Sequence, residues 1–228
     1  MNTLLHIDSS ATPRGSVSHK LTAEFVAAWR ASRTGEKVIY RDLDKAPVPA
    51  VNHDLLAALA AGPGTLLNDD QKRALALSNH LVDELFQADA YVLGVPVYNF
   101  TVPGAFKAWI DQVARRDRVL KGGPQGRQGV FGDKKVLVIA SRKDDAGHED
   151  PQAGWDFHEP YLRKVFEFLG VKDFAYVPVI QNPLQAGPEA QAAALEKARV
   201  SMREVLTRWN AEAAAAHTVH EAPHKAAA

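Results

Sequence analysis

The sequence contains no cysteine among its 228 residues. Disulfides, thiolate nucleophiles, zinc–cysteine sites and cysteine-bound iron–sulfur clusters are therefore excluded. Any redox chemistry would have to rest on a borrowed cofactor. Neither charge sign is in excess, since 27 Lys and Arg balance 27 Asp and Glu. That balance argues against a general nucleic-acid or anionic-membrane surface. No apolar run approaches the roughly 20 residues of a membrane span. The opening MNTLLHIDSS has no basic segment, and its apolar run is too short for a signal peptide. The expectation is a cytoplasmic protein with neither membrane nor nucleic acid as partner. Also missing are G-x-G-x-x-G and the Gly-Lys-Ser/Thr ending of a P-loop, so nucleoside triphosphates and the usual dinucleotide mode drop out.

What is present is ordinary soluble composition, 46% hydrophobic and 24% charged, in a chain long enough for one well-buried core. Four runs read as buried strands: Leu4 to Asp8, Ala90 to Pro96, Lys135 to Ser141 and Phe174 to Ile180. They are β-branched and nearly continuously apolar, as strands covered on both faces are. A fifth run, Lys37 to Leu43, is more polar and suits an edge, and Pro178 hints at an edge for the last strand.

Helical patterns lie between the strands. SHKLTAEFVAAWRAS carries Leu21, Phe25, Ala28 and Trp29 at helical spacing, with Ser16 or Ser18 as cap. Asn68 opens a second helix with acids in its first turn, and Leu75, Leu81, Leu85 and Phe86 are expected to be buried. VPGAFKAWIDQVARR sets Phe106, Trp109, Ile110 and Val113 on one face. EPYLRKVFEFLG offers Leu162, Val165, Phe166 and Leu169 and stops at Gly170. An alanine-rich helix ends the series. Strands alternating with helices give a doubly wound α/β domain with a five-stranded parallel sheet, expected over residues 1–215. Residues 216–228 read as a disordered tail, in which His217, His220 and His224 are solvated rather than metal-bound.

Ligands of such sheets bind beyond the carboxyl ends of the strands, so the loops after strands matter. SSATPRGSVS (Ser9 to Ser18) is long, hydroxyl-rich and sits before a helix, where free N–H groups and the helix dipole suit a phosphate. On its own it reads equally as a surface loop with capping serines. In GVPVYNFTVPG, Tyr98 and Phe100 flank Asn99 between two prolines. They would wall a planar ring and read its edge, or simply cover the core. The third loop, SRKDDAGHEDPQAGWDFHEP, is long and polar like a lid. Its His148 and His158 are candidate general bases, although His158 reads better as a residue at the start of a helix.

Taken together, SSATPRGSVSHKL, GVPVYNFTVPGAFKAWIDQVAR, GPQG before GDKKVLVIASR, and EPYLRKVFEFLGV resemble the FMN-dependent NAD(P)H azoreductase and quinone oxidoreductase family. The resemblance covers nearly the whole chain. It implies a flavodoxin-like three-layer αβα sandwich, bound FMN, NADH or NADPH as electron donor, and a quinone or azo acceptor served in ping-pong order. It implies that Ser9, Ser16, Val17 and Ser18 hold the FMN phosphate. Pro96, Val97, Tyr98, Asn99 and Phe100 would pack along the isoalloxazine, with Asn99 at its polar edge. Ser141 and Arg142 would approach the pyrimidine side. It further implies a homodimer. Two departures stand out: Lys143 and Asp144 replace the family's usual glycine pair, and RDRVLKGGPQG lacks the usual aromatics. The residues also leave open an FMN-binding electron-transfer or redox-sensing module with little NAD(P)H turnover, and a relative that has lost the cofactor.

Overall fold

A computed structural model describes residues 2–12, 15–124, 126–142, 155–180 and 187–220, the last five by backbone only. Five strands form one parallel sheet: β1 (Thr3–Asp8), β2 (Lys37–Asp42), β3 (Ala90–Gly94), β6 (Lys135–Arg142) and β7 (Asp173–Ile180). Their order is β2-β1-β3-β6-β7. Both expected edges are edges, and Pro178, which has no N–H to donate, lies on exposed backbone of β7.

Alternation along each strand feeds two cores. Leu5, Ile7, Tyr91, Leu93, Val136 and Val138 pack with Leu81, Phe106, Trp109 and Phe166 on one face. Leu4, Val92, Leu137 and Ile139 pack with Leu21, Phe25, Trp29 and Trp209 on the other. The first face is covered by α3 (Asp69–Gln87), α4 (Gly104–Val113) and α6 (His158–Phe168), the second by α1 (Val17–Ala31) and α7 (Pro188–His220). The result is the expected αβα sandwich.

Local signals set several boundaries. Ser16 caps α1, and Asn68 forms a reciprocal capping box with Gln71 at α3. Gly170 ends α6 with φ +94°, a conformation only glycine adopts at no steric cost.

Four details differ from expectation. Phe86 is exposed and Leu75 only half-buried. Phe86 is turned about 100° from Leu85 on a helix, toward the rim, where it meets Phe131 and the Arg118 guanidinium. On α1 the buried positions include Thr22 and Val26, while Ala28 faces outward. Two short helices, α2 (His53–Ala60) and α5 (Arg116–Val119), and an antiparallel pair, β4 (Leu120–Gly123) with β5 (Gly126–Gly129), were not expected. Finally, α7 stays helical through His220, five residues past the expected boundary, because the run Ala213 to Ala216 propagates a helix well.

Candidate functional site

The loops after β1, β3 and β6 meet at the carboxyl edge of the sheet, where strand order reverses between β1 and β3. The base is built on Asp8, a buried carboxylate at the end of β1. It accepts hydrogen bonds from Thr22 Oγ1 of α1 (2.8 Å) and the Tyr40 hydroxyl of β2 (3.1 Å), and His6 Nε2 lies 3.2 Å away. Burial pushes the Asp8 carboxyl up, but His6, with help from His19 and Thr22, more than reverses this and holds it below its ordinary range. This carboxylate fixes the start of α1 against the sheet. Gly94 leaves room for it, since a Cβ there would lie 2.6 Å from Asp8 Oδ1.

Directly beyond, Gly15 turns the chain with φ +79° into α1. No hydrogen bond among the described residues takes up the N–H groups of Gly15, Ser16, Val17 or Ser18. The Ser16 and Ser18 hydroxyls stand 3.2 Å apart at the same place, Ser16 capping His19 N–H. A row of unpaired donors at a helix N-terminus is what a phosphate requires. Ser18 is fully buried and Val17 half-buried. Ser9 is placed differently: both its N–H and its hydroxyl donate to the Gly94 carbonyl, at 3.0 and 2.9 Å. It joins β1 to β3 and keeps no free proton for an anion.

The second loop is a tight turn. Tyr98 and Thr101 exchange backbone hydrogen bonds of 2.9 and 3.0 Å, and Asn99 and Phe100 between them have φ of 46° and 70°. Two successive positive-φ residues make a type I′-like turn, uncommon for phenylalanine and of the kind that clusters at binding sites. Asn99 and Phe100 are exposed, whereas Pro96 is buried. The Tyr98 hydroxyl accepts from Ala11 N–H at 3.2 Å and lies 3.4 Å from Ser10 Oγ, so the phosphate-type loop and the ring-type loop are tied together. Val97 N–H donates to the Ser141 carbonyl (2.9 Å), which ties in the third loop. Arg142 pairs with Asp156 at 2.5 Å.

Every predicted site residue is therefore at this edge, in three loops that touch. The residues missed are Ser10 and Ala11, which receive Tyr98, and Trp155, Asp156 and Phe157, which approach Phe100 and Arg142. An aromatic–acid–aromatic triplet before a helix is the sequence signal that was available for the latter. His158 does begin α6 and is fully buried, which disqualifies it as a base exchanging protons with substrate. Lys143, Asp144 and His148 lie outside the described residues. Among the described residues no cluster of side chains fits a metal ion, and no helix is long and apolar enough to cross a membrane.

Burial lowers the His158 imidazole to about 4, against the opposing pull of Asp156 and the Val95 and Pro96 carbonyls; Arg142 adds to the lowering. The sign follows. Above pH 6.5 neither state carries the proton and stability is complete. Between 6.5 and about 4 the unfolded chain binds a proton that the fold refuses, so stability is lost as pH falls. The displacement corresponds to about 3 kcal/mol at about 1.4 kcal/mol per unit. Urea unfolding from pH 7.5 to 4.5 should therefore fall more steeply for the native chain than for His158→Gln. Equal slopes would show that this ring is not held neutral.

Residues 2–206 match a family described as having a flavodoxin-like fold. The chain is 40% identical to an FMN-dependent NADH:quinone oxidoreductase of Nostoc punctiforme, over 92% of this chain and all of that protein. It is 36% identical to FMN-dependent NADH:quinone oxidoreductase 3 of Pseudomonas aeruginosa, over 90% of this chain and 93% of the relative. Among solved structures, azoreductase AzrA superposes with TM-score 0.77 at 28% identity, covering 88% of this chain and 99% of that one. An FMN-dependent NADH-azoreductase of Bacillus anthracis, crystallised with FMN, superposes with TM-score 0.81. It is 22% identical, covers 92% of this chain and all of its own, and shows the fold.

Proposed function

Because the chain belongs to the FMN-dependent NADH:quinone oxidoreductases of flavodoxin-like fold, we propose that it uses FMN to carry electrons from NADH or NADPH to quinones and azo compounds. The observation that carries the reading is the row of unpartnered N–H groups from Gly15 to Ser18, beside the Ser16 and Ser18 hydroxyls and tied through Tyr98 to the Asn99–Phe100 turn. Bound there, FMN would supply two-electron hydride-transfer chemistry between a nicotinamide and the acceptor, the two being served in ping-pong order.

The chain's own residues bind and orient. Ser16, Val17 and Ser18 donate to the phosphate from the start of α1, where the helix dipole favours negative charge. Ser9 shapes this cradle by locking β1 to Gly94. Pro96 to Phe100 would form the wall along the ring, with Asn99 toward its polar edge, and Ser141 with Arg142 would approach its pyrimidine side. No protein nucleophile is needed, in keeping with the lack of cysteine. The cytoplasm and a homodimeric assembly complete the proposal.

Steady-state oxidation of NADH and of NADPH at several fixed quinone concentrations tests it. Parallel double-reciprocal lines are expected, and intersecting lines would overturn the ping-pong order. Absence of turnover with either nicotinamide, in FMN-loaded protein, would point instead to an electron-transfer module.

A further inference from the structure

The four residues Trp155–His158 reach the ring end of the site at Phe100 and at Arg142. Phe157 N–H donates to the Phe100 carbonyl at 3.0 Å, so it grips the Tyr98–Thr101 turn at its most strained residue. The Trp155 ring meets Phe100 edge-on, with centroids 5.4 Å apart. Asp156 pairs with Arg142 Nη1 through Oδ2 and accepts His158 N–H through Oδ1 at 3.1 Å. His158 then drives its ring into the core. Its Nδ1 lies 2.9 Å from the Tyr176 hydroxyl of β7, and its buried Nε2 has no hydrogen-bond partner among the described residues.

A neutral imidazole has one donor and one acceptor nitrogen. The Nδ1–Tyr176 hydrogen bond engages one of them, so His158 anchors the start of α6 to β7 directly after the residues that reach Phe100 and Arg142.

We propose that Trp155–His158 is a positioning latch: it holds the Asn99–Phe100 turn and the Arg142 guanidinium in one arrangement for a flat acceptor. This deepens the proposed function and rests on it only for the identity of what the wall receives. Three contacts, two to Phe100 in the second loop and one to Arg142 at the start of the third, converge on consecutive residues. Among the described residues the latch makes no contact with the phosphate cradle, so the two ends separate experimentally. Asp156 and Phe157 are positioning residues, since they act through Arg142 and Phe100.

The test uses the full chain with Asp156→Asn, the conservative Asp156→Glu, and Trp155→Leu, whose site is exposed and safe for folding. Amide hydrogen exchange without FMN reads the latch itself. Asp156→Asn should speed exchange at Phe157 and His158 at least tenfold, and Trp155→Leu at Phe157 about threefold, with Val92 in β3 unchanged. In FMN-loaded protein, Asp156→Asn should raise the KM for a benzoquinone about tenfold, change kcat less than twofold and FMN Kd less than threefold. Asp156→Glu should restore KM to within about threefold of the native value. Unaltered exchange at both amides, or a KM that stays put, would overturn the latch. Should the native chain fail to bind FMN, the function falls, while the exchange experiment still decides whether the latch exists.

Discussion

Exchanging Ser16 and Ser18 together for alanine is expected to weaken FMN binding about a hundredfold. A hydrogen bond to a charged group contributes roughly 1.5–3 kcal/mol, and losing two at the lower bound gives about 3 kcal/mol, somewhat over two decades in Kd. The backbone N–H groups from Gly15 to Ser18 remain, so binding weakens rather than vanishes. The substitution also touches the fold, since Ser16 caps α1, and an alanine there costs about 1 kcal/mol. Ser16→Gly separates the two effects, because glycine is nearly as good a cap. It should bind FMN more weakly while its urea midpoint barely moves. Flavin fluorescence quenching gives the affinity, and an unchanged Kd in the double variant would remove the phosphate from this helix.

The largest effect on stability is expected at Gly129, not in the hydrophobic core. A Cβ there would lie 2.1 Å from the Leu169 carbonyl carbon, 2.2 Å from Gly170 N and 2.3 Å from Leu169 O. All three are backbone atoms, so no side chain can swing away. Gly170 faces it from the end of α6, with φ +94° and a Cβ position 2.5 Å from Gly129 O. The two glycines thus let β5 and the α6 terminus meet backbone to backbone, and Phe131 N–H then reaches Leu169 O at 3.0 Å. Gly129→Ala should cost about 3 kcal/mol or more, the top of the range for overpacking. Gly104→Ala, at an open helical position with nothing within 4 Å, should be neutral or stabilise by about 0.5–1 kcal/mol. Urea unfolding compares them; a native midpoint for Gly129→Ala would contradict the close approach.

The contrast between these positions also explains what the sequence discloses. Leu4 with Leu5, and Val92 with Leu93, announce two buried faces because strand periodicity is local. Ser16 and Asn68 announce helix starts because a cap is read within four residues. The Ser9 to Ser18 loop is legible only as hydroxyls preceding a helix, a pattern that a surface loop with capping serines shares. The β4–β5 pair is not legible: its four-residue strands LKGG and GRQG carry almost no apolar side chains and are set by pairing, not by composition. Nor is the link from Phe157 to Phe100, fifty-seven residues apart, or from Tyr98 to Ala11, eighty-seven apart. Those contacts depend on which loops the sheet brings to one edge. Phe86 shows the limit of periodicity, because one residue beyond Leu85 is enough to rotate an aromatic ring from core to rim.

The central claim is that this carboxyl edge binds FMN and works it with a nicotinamide. The most direct measurement is an anaerobic titration of the purified chain with FMN, followed in the same cuvette by NADH and then a simple benzoquinone. Stoichiometric binding, loss of the flavin absorbance on adding NADH and its return with quinone are the predicted results. A chain that leaves added FMN free in solution would contradict the account at its root.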